Sequence, residues 1–357
     1  MSRVLVTGGA GWFGHHLALS LVATGWAVRV LDIASRPEWA DGLDVDYVQG
    51  DVCDPERVRG ALRGVSAVVH SAFAPPGATI EQLRRVNVGG TRALMDAALR
   101  TEEMRVVLIS STIVDRDLKP HPLLAEGPAT RLWRYARTRA EAESEAASFT
   151  EAGLPVAVVR PKTFLGPGGV GPFALVFDLI KGGRTVPMLG PGRNRYQLVD
   201  VRDLAAGVAL LAKSEVVGRF GFGAADMSTV AAEMKALLDH AGTGARILPV
   251  PGPVGRAGLR AVALAGLPTL SEWHYCLATG EDSVIDIRRA TAELGWLPER
   301  SNIDALVDAF DWYASEAEGA TPPRGRPVPA SHRALGRLAA AVPAGRASRQ
   351  PRRPRPR

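Results

Sequence analysis

The stretch Thr7-Gly8-Gly9-Ala10-Gly11-Trp12-Phe13-Gly14 constrains this chain more than any other. An apolar run, Arg3-Val4-Leu5-Val6, precedes it and reads as a buried strand. From His15 to Thr24, Leu17, Leu21 and Val22 recur at helical spacing, and Gly25 supplies a stop. Strand, glycine-rich turn and helix in this order form the unit that binds a dinucleotide. Glycine permits positive φ in the tight turn and close approach of a pyrophosphate to the backbone. The helix N-terminus then offers unpaired N–H groups and partial positive charge to the phosphates. A second apolar strand, Ala27 to Leu31, ends in Asp32. An acidic residue about 20 positions past the glycines is placed to accept hydrogen bonds from an adenosine ribose diol.

The first half keeps alternating. Val45–Val48 reads as a third strand, leading to Gly50-Asp51-Val52, and Ser66–His70 as a fourth, followed by Ser71-Ala72-Phe73-Ala74. A helix is predicted from about Ile80 to Leu99, a strand over Arg105–Ile109 ending in Ser110-Ser111-Thr112, and a helix over about Ala129–Phe149. Val156–Val159 reads as a sixth strand, ending at Arg160-Pro161. This alternation predicts an α/β fold, a doubly wound parallel sheet of Rossmann type. Ligands then bind beyond the carboxyl ends of the strands, where Asp32, Asp51, His70, Ser110 and Ser111 all sit.

The second half is less regular. A short helix over Phe173–Ile180, a strand over Leu198–Val201, and helices over Leu204–Leu211, up to His240 and over Ile303–Ala314 are expected. Asp203 is the expected N-cap of the second of these, and Ser228 or Thr229 of the third. Val254–Thr279 is mostly apolar and reads as two short helices forming a substrate lid. Residues 1–160 are thus taken as the dinucleotide-binding core. Residues 161–318 are mainly a substrate-binding region, interleaved with the last core elements. Residues 319–357 are Pro-, Ala- and Arg-rich and read as a disordered basic tail.

That tail distorts the charge. The chain is +6, but ten of its 43 basic residues lie in 319–357, which has no acidic residue. The other 33 face 37 acidic residues, so the body is mildly acidic and a nucleic-acid surface on it is not expected. Cys53 and Cys276 form no metal-ligand or disulfide pattern, and no metal is expected. No apolar run approaches the ~18 residues of a membrane span, and the first strand starts almost at once. A cytoplasmic protein without a membrane partner is therefore expected, binding a small-molecule substrate and compatible with a homodimer.

Taken together, the motifs resemble the extended short-chain dehydrogenase/reductases, a group that includes NAD-dependent epimerases and dehydratases. Thr7-Gly8-x-x-Gly11-x-x-Gly14 is similar to the family's cofactor signature, and Val68-Val69-His70-x-Ala72 to its fourth-strand motif. Asn87-Val88-x-Gly90-Thr91, Ile109-Ser110-Ser111, Arg160-Pro161 with Gly166-Pro167, and Leu294-Gly295-Trp296-x-Pro298 resemble its later motifs. Tyr135-Ala136-Arg137-Thr138-Arg139 falls where the family carries Tyr-x-x-x-Lys, with Arg139 in place of lysine. The resemblance implies that Gly8, Gly11 and Gly14, with Trp12 and Phe13 between them, hold the pyrophosphate. Asp32 would take the adenosine ribose, Asp51 and Val52 would flank the adenine, and Ala72 and Pro161 would line the cofactor cleft. Ser111 would hydrogen-bond the substrate oxygen, Tyr135 would exchange a proton with it, and Arg139 would contact the cofactor. NAD(H) is the favoured cofactor. NADP(H) stays open, because Arg36 is close enough in sequence to swing toward a 2′-phosphate.

The chemistry agrees. Hydride addition to a carbonyl puts negative charge on oxygen, and a nearby donor both stabilises that charge and supplies the proton. A phenol is mostly protonated at neutral pH, and a neighbouring cation eases its ionisation. Tyr135 and Arg139 are one helical turn apart, hence on one face.

Sugar-nucleotide members usually carry Asn after the sixth-strand proline and a diphosphate-binding arginine later. Here Lys162-Thr163-Phe164 follows Pro161, and Tyr196 aligns with that arginine, though Arg193 or Arg195 beside it could substitute. With the apolar lid, this implies an NAD(P)H-dependent ketoreductase or alcohol dehydrogenase. Its substrate would be mainly apolar and ring-containing, polyketide- or steroid-like, in a setting such as antibiotic biosynthesis. A nucleotide-sugar 4-epimerase is the first alternative. The second is a non-catalytic dinucleotide sensor, for which Arg139 is the only sequence support.

Overall fold

A computed structural model describes residues 2–115, 128–251, 253–255, 257 and 280–319. The first half forms β1 (Arg3–Thr7), α1 (Trp12–Ala23), β2 (Ala27–Asp32), β3 (Val45–Gln49), α2 (Pro55–Ala61) and β4 (Ala67–His70). It continues through α3 (Ile80–Leu83), a π-helical segment (Arg84–Gly90), α4 (Thr91–Leu99), β5 (Arg105–Ile109), α5 (Pro128–Glu151) and β6 (Val156–Pro161). The second half adds β7 (Thr163–Leu165), α6 (Ala174–Lys181), β8 (Thr185–Leu189), β9 (Leu198–Asp200), α7 (Val201–Lys213) and β10 (Gly218–Phe222). The remaining described elements are α8 (Val230–Ala241), β11 (Arg246–Val250), α9 (Arg288–Leu294) and α10 (Asn302–Gly319).

Seven parallel strands form one sheet in the order β10-β6-β5-β4-β1-β2-β3. The chain winds outward from β1 to β3, then returns to β4 on the other side of β1. That reversal opens a crevice at the carboxyl ends of β1 and β4. Alternate residues of each strand serve opposite faces. Val4 and Val6 meet Leu17 and Leu21 of α1 and Leu204 and Val208 of α7. Leu5, Val68 and Leu108 meet Val58 of α2, Leu94 of α4 and Ala146 of α5. These strand side chains are essentially without solvent exposure, and each buried Val or Leu contributes about 1.5–3 kcal/mol. A second core joins Phe173 and Phe177 to Leu165, Tyr196, Leu237 and Phe310.

The α/β reading and the first six strands hold, with departures at several elements. The expected single helix over 80–99 is interrupted by π geometry at Arg84–Gly90. Buried Asn87 explains the anchoring: its Oδ1 accepts from Ala74 N (2.9 Å) and its Nδ2 donates to Thr138 Oγ1 (3.0 Å). Gly90 packs where a Cβ would stand 2.8 Å from Val52 Cγ1. Asp203 is not the N-cap of α7. Asp200 takes that position, accepting from Arg202 N at 2.8 Å, while buried Asp203 accepts from Arg300 N and Nη1. Thr229 caps α8. Strand β10 was not foreseen in 218–222, and it extends the main sheet from the second half of the chain. The final helix runs on to Gly319. Apart from 254, 255 and 257, the expected lid lies outside the described residues, as do Cys276 and the tail from 320 onward.

Candidate active site

The glycine turn closes over the end of β1. Gly8 has φ +70°, and a Cβ there would meet Ala72 N at 2.7 Å, so Gly8 and Ala72 bring β1 and β4 into backbone contact. At Gly14 a Cβ would stand 2.6 Å from Gly9 Cα, which lets α1 seat directly on the turn. Gly11 differs: the nearest atom to its ideal Cβ is Gly8 O at 3.9 Å. Its open side, together with an α1 N-terminus that no side chain caps, is a cradle for an anionic group. Trp12 and Phe13 follow in the first turn of α1, but their rings face the second half. Trp12 Nε1 donates to Pro167 O (2.7 Å) and its ring stacks on Phe164 at 5.4 Å. Phe13 lies 5.6 Å from the same ring.

Asp32 accepts from Ala10 N (3.0 Å) and Ala34 N (2.9 Å), so it ties β2 to the glycine turn. Arg36 is not poised to swing toward it: its guanidinium is held by Asp41, Ala40 O and Val45 O. A 2′-phosphate beside Asp32 would therefore meet the carboxylate without that neutralising partner. Asp32→Ala is expected to lower the NADH-to-NADPH affinity ratio by roughly tenfold, equivalent to about 1.4 kcal/mol of lost discrimination. Fluorescence titration with both cofactors checks this, and unchanged affinity for both would remove Asp32 from the ribose site. Asp51, just past β3, accepts from Cys53 N and Arg85 Nη1. Burial opposes its ionisation, but these donors hold its pKa below the usual value. Val52 is buried beside Gly90.

His70, at the end of β4, lies between Thr7 Oγ1 (2.7 Å) and Thr91 Oγ1 (3.0 Å). Burial first, then Arg139, lowers its pKa to about 3, so it stays neutral and serves the fold. Ser110 is likewise turned inward, donating to Glu143. Ser111 is half-buried at the end of β5, and its Oγ accepts from Ile113 N at 3.3 Å. Thr112 beside it is buried. Pro161 ends β6, paired with Phe222 of β10.

Tyr135 and Arg139 share one face of α5, and Arg139 reaches the end of β5. Tyr135 is half-buried, and the Arg139 Cζ is 5.8 Å from its ring centre. Arg139 does not point to solvent: it is 3% exposed, donates to Ile109 O, and has its Cζ 3.3 Å from the centre of the Phe73 ring. Burial pushes its pKa down, while Tyr135 and Glu143 pull it up. Its Nε and Nη1 are buried without a hydrogen-bond partner. Orphaned buried donors on a cation are costly, and they suit acceptor oxygens arriving from outside the chain. The Gly11 cradle, Asp32 and these donors together fit a dinucleotide laid across the β1–β4 crevice. Among the described residues, no group of His, Cys, Asp or Glu could hold a metal, and no helix is long and apolar enough to cross a membrane.

Sequence reasoning did not single out Phe73 or Glu143. Glu143 was within reach, since it stands one more helical turn along the face of Tyr135 and Arg139. Phe73 carries no comparable signal, because its approach to Arg139 depends on how β4 and α5 are placed.

The profile of the NAD dependent epimerase/dehydratase family matches residues 4–220. Among curated relatives, the protein y4nG of Sinorhizobium fredii is 35% identical over 318 residues, spanning 88% of this chain and 79% of that one. Ceramide reductase of Caulobacter vibrioides is 30% identical over 217 residues, spanning 60% and 62% of the two chains. Among solved structures, the UDP-glucuronic acid 4-epimerase from Bacillus cereus in complex with NAD superposes with a TM-score of 0.67. It shares 18% identity, covering 88% of this chain and 99% of that one.

Proposed function

The chain belongs to the NAD dependent epimerase/dehydratase family, and from that premise we propose that it is an NAD(H)-linked ketoreductase or alcohol dehydrogenase for a mainly apolar substrate. That it is an NAD-dependent oxidoreductase-type enzyme follows from the family. The observation that carries the reaction is the shared face of α5, with the Tyr135 ring beside the buried Arg139 cation, which is bonded to the end of β5 two residues before Ser111. In this reading Gly8, Gly11 and Gly14 receive the pyrophosphate, with the first-turn backbone at Trp12 and Phe13. Asp32 receives the adenosine ribose, and Asp51 and Val52 border the adenine. Ala72, Pro161 and the free donors of Arg139 border the nicotinamide half. The cofactor, when bound, supplies or accepts the hydride. Ser111 Oγ orients the substrate oxygen, Tyr135 gives or takes its proton, and the Arg139 charge stands beside the ring where negative charge would develop during that transfer. The inward placement of Arg139 supports catalysis over a purely cofactor-sensing role.

Substrate class rests on Tyr196, which aligns with the diphosphate-binding arginine of sugar-nucleotide members. It is 2% exposed, shares a 2.6 Å hydrogen bond with Thr163 Oγ1, and has Lys162 Nζ 4.9 Å from its ring centre. Arg195, next to it, pairs with Asp282 at 2.8 Å. Tyr196 and Arg195 are thus engaged in internal contacts, while Arg193 is exposed. The ceramide reductase likeness supports a mainly apolar substrate; that it is ring-containing, polyketide- or steroid-like, is part of the proposal. Calorimetry is expected to show no binding of UDP- or dTDP-sugars to the NAD-loaded protein. Tight binding of either would promote a 4-epimerase instead.

A further inference from the structure

Beneath the reacting groups, α5 continues its inward polar row. Tyr135, Arg139 and Glu143 are spaced by four residues and share one face. Glu143 is 6% exposed, and donors from two strands converge on it. Ser110 Oγ, just past β5, donates to Oε1, as does Arg160 Nε of β6 at 3.0 Å. Arg160 Nη2 donates to Oε2 at 2.5 Å, and Arg219 Nε of β10 stands 3.8 Å from the same oxygen. One turn earlier, Arg139 donates to Ile109 O. The end of β5 is thus gripped twice by one helix face, at the Ile109 carbonyl and at the Ser110 hydroxyl, directly before Ser111.

We propose that Glu143 is a positioning residue for the reaction: it clamps the end of β5 to α5, so that Ser111 and Tyr135 face one point, and it sets the field at the Tyr135 phenol. This rests on the assignment of Tyr135 and Ser111 given above. Charge-assisted bonds to a buried carboxylate are short and directional, so they suit a clamp. The charge count explains the field. Arg139, Arg160 and Glu143 together carry one net positive charge, and removing the carboxylate leaves two. The exposed Arg219 adds a weaker, screened contribution. Of the other described charges around α5, Arg84 and Arg137 pair with Glu141 and Arg92 with Glu145, while Arg134 and Glu151 are exposed. His70, the titratable group facing this row from β4, is neutral.

The test uses the full chain and needs no substrate. Tyrosinate ultraviolet absorbance is followed through alkaline pH, and the step that disappears in Tyr135→Phe is assigned to Tyr135. In Glu143→Gln that step should move about one pH unit lower, the effect of a unit charge roughly 12 Å away at an effective dielectric near 20. Glu143→Asp, which keeps the charge, should restore it. Ser110→Ala, which breaks one grip but keeps the charge, should leave it in place. NADH affinity should change less than about twofold in each. On any ketone the enzyme reduces, Glu143→Gln should lower kcat about tenfold or more, with the alkaline limb of the pH–rate profile displaced to lower pH. A Glu143→Gln protein with a lower melting temperature but an unmoved Tyr135 step and normal kcat would overturn the proposal. If that variant does not fold, Arg160→Gln reads the same field with opposite sign, and an unmoved step there is equally fatal. Normal turnover in Tyr135→Phe would instead overturn the reaction assignment.

Discussion

Replacing Tyr135 by phenylalanine is expected to cut turnover by about 10² to 10⁴, the usual worth of a positioned general acid. The half-buried phenol sits beside a cation that is 3% exposed and cannot be replaced there by water. Its hydroxyl contributes where charge develops on the substrate oxygen, so the loss should fall on kcat. Cofactor affinity should be almost unchanged if, as proposed, the glycine turn and Asp32 hold the pyrophosphate and adenosine ends. Steady-state kinetics together with NADH titration checks both halves. Normal turnover in this variant would mean that the proton comes from elsewhere, such as water or an acidic hydroxyl on a phenolic substrate.

The second large effect is expected at Gly14. An alanine Cβ there would overlap the Gly9 carbonyl and stand 2.6 Å from Gly9 Cα. Both are backbone atoms of a tight turn, so neither can yield as a side-chain end would. Helix α1 would have to lift from the turn, and overpacking of this kind costs about 1–3 kcal/mol. The uncapped N-terminus of α1 would move with it, and cofactor affinity should fall about 100-fold or more, given that each 1.4 kcal/mol is tenfold. Gly11→Ala is the instructive contrast. Its Cβ meets nothing closer than Gly8 O at 3.9 Å, so the protein should melt normally. It should still bind cofactor poorly, because the methyl group occupies the approach to the backbone. Thermal melts with cofactor titrations separate the two. A Gly14→Ala protein with normal stability and affinity would show that α1 and the turn are less tightly coupled than this packing implies.

The strand–glycine turn–helix unit was legible in the sequence because it is local. Residues 3–32 hold two strands, a turn, a helix and an acidic residue in fixed order, and backbone sterics leave few other ways to connect them. Apolar periodicity likewise located β3 to β6, since both faces of a parallel sheet must be buried. The spacing of Tyr135 and Arg139 placed them on one face of α5. Local pattern could not decide where Arg139 goes. Its burial against Phe73 and the Ile109 carbonyl depends on the distance between α5 and the ends of β4 and β5. Nor could it predict that Asp200 caps α7 while Asp203 binds Arg300, because either carboxylate satisfies the capping pattern and only Arg300, 97 residues away, separates them. Arg36 was read as free to swing toward a 2′-phosphate and Arg195 toward a diphosphate, and tertiary partners engage both. The Ser110–Glu143–Arg160 cluster joins residues 33 and 17 positions apart, beyond the reach of helical or strand periodicity. Local sterics and apolar periodicity act over a few residues, so they determine elements and cofactor turn. The pairing of buried polar groups acts across the sheet, so only the folded chain decides which of those groups remain free for chemistry.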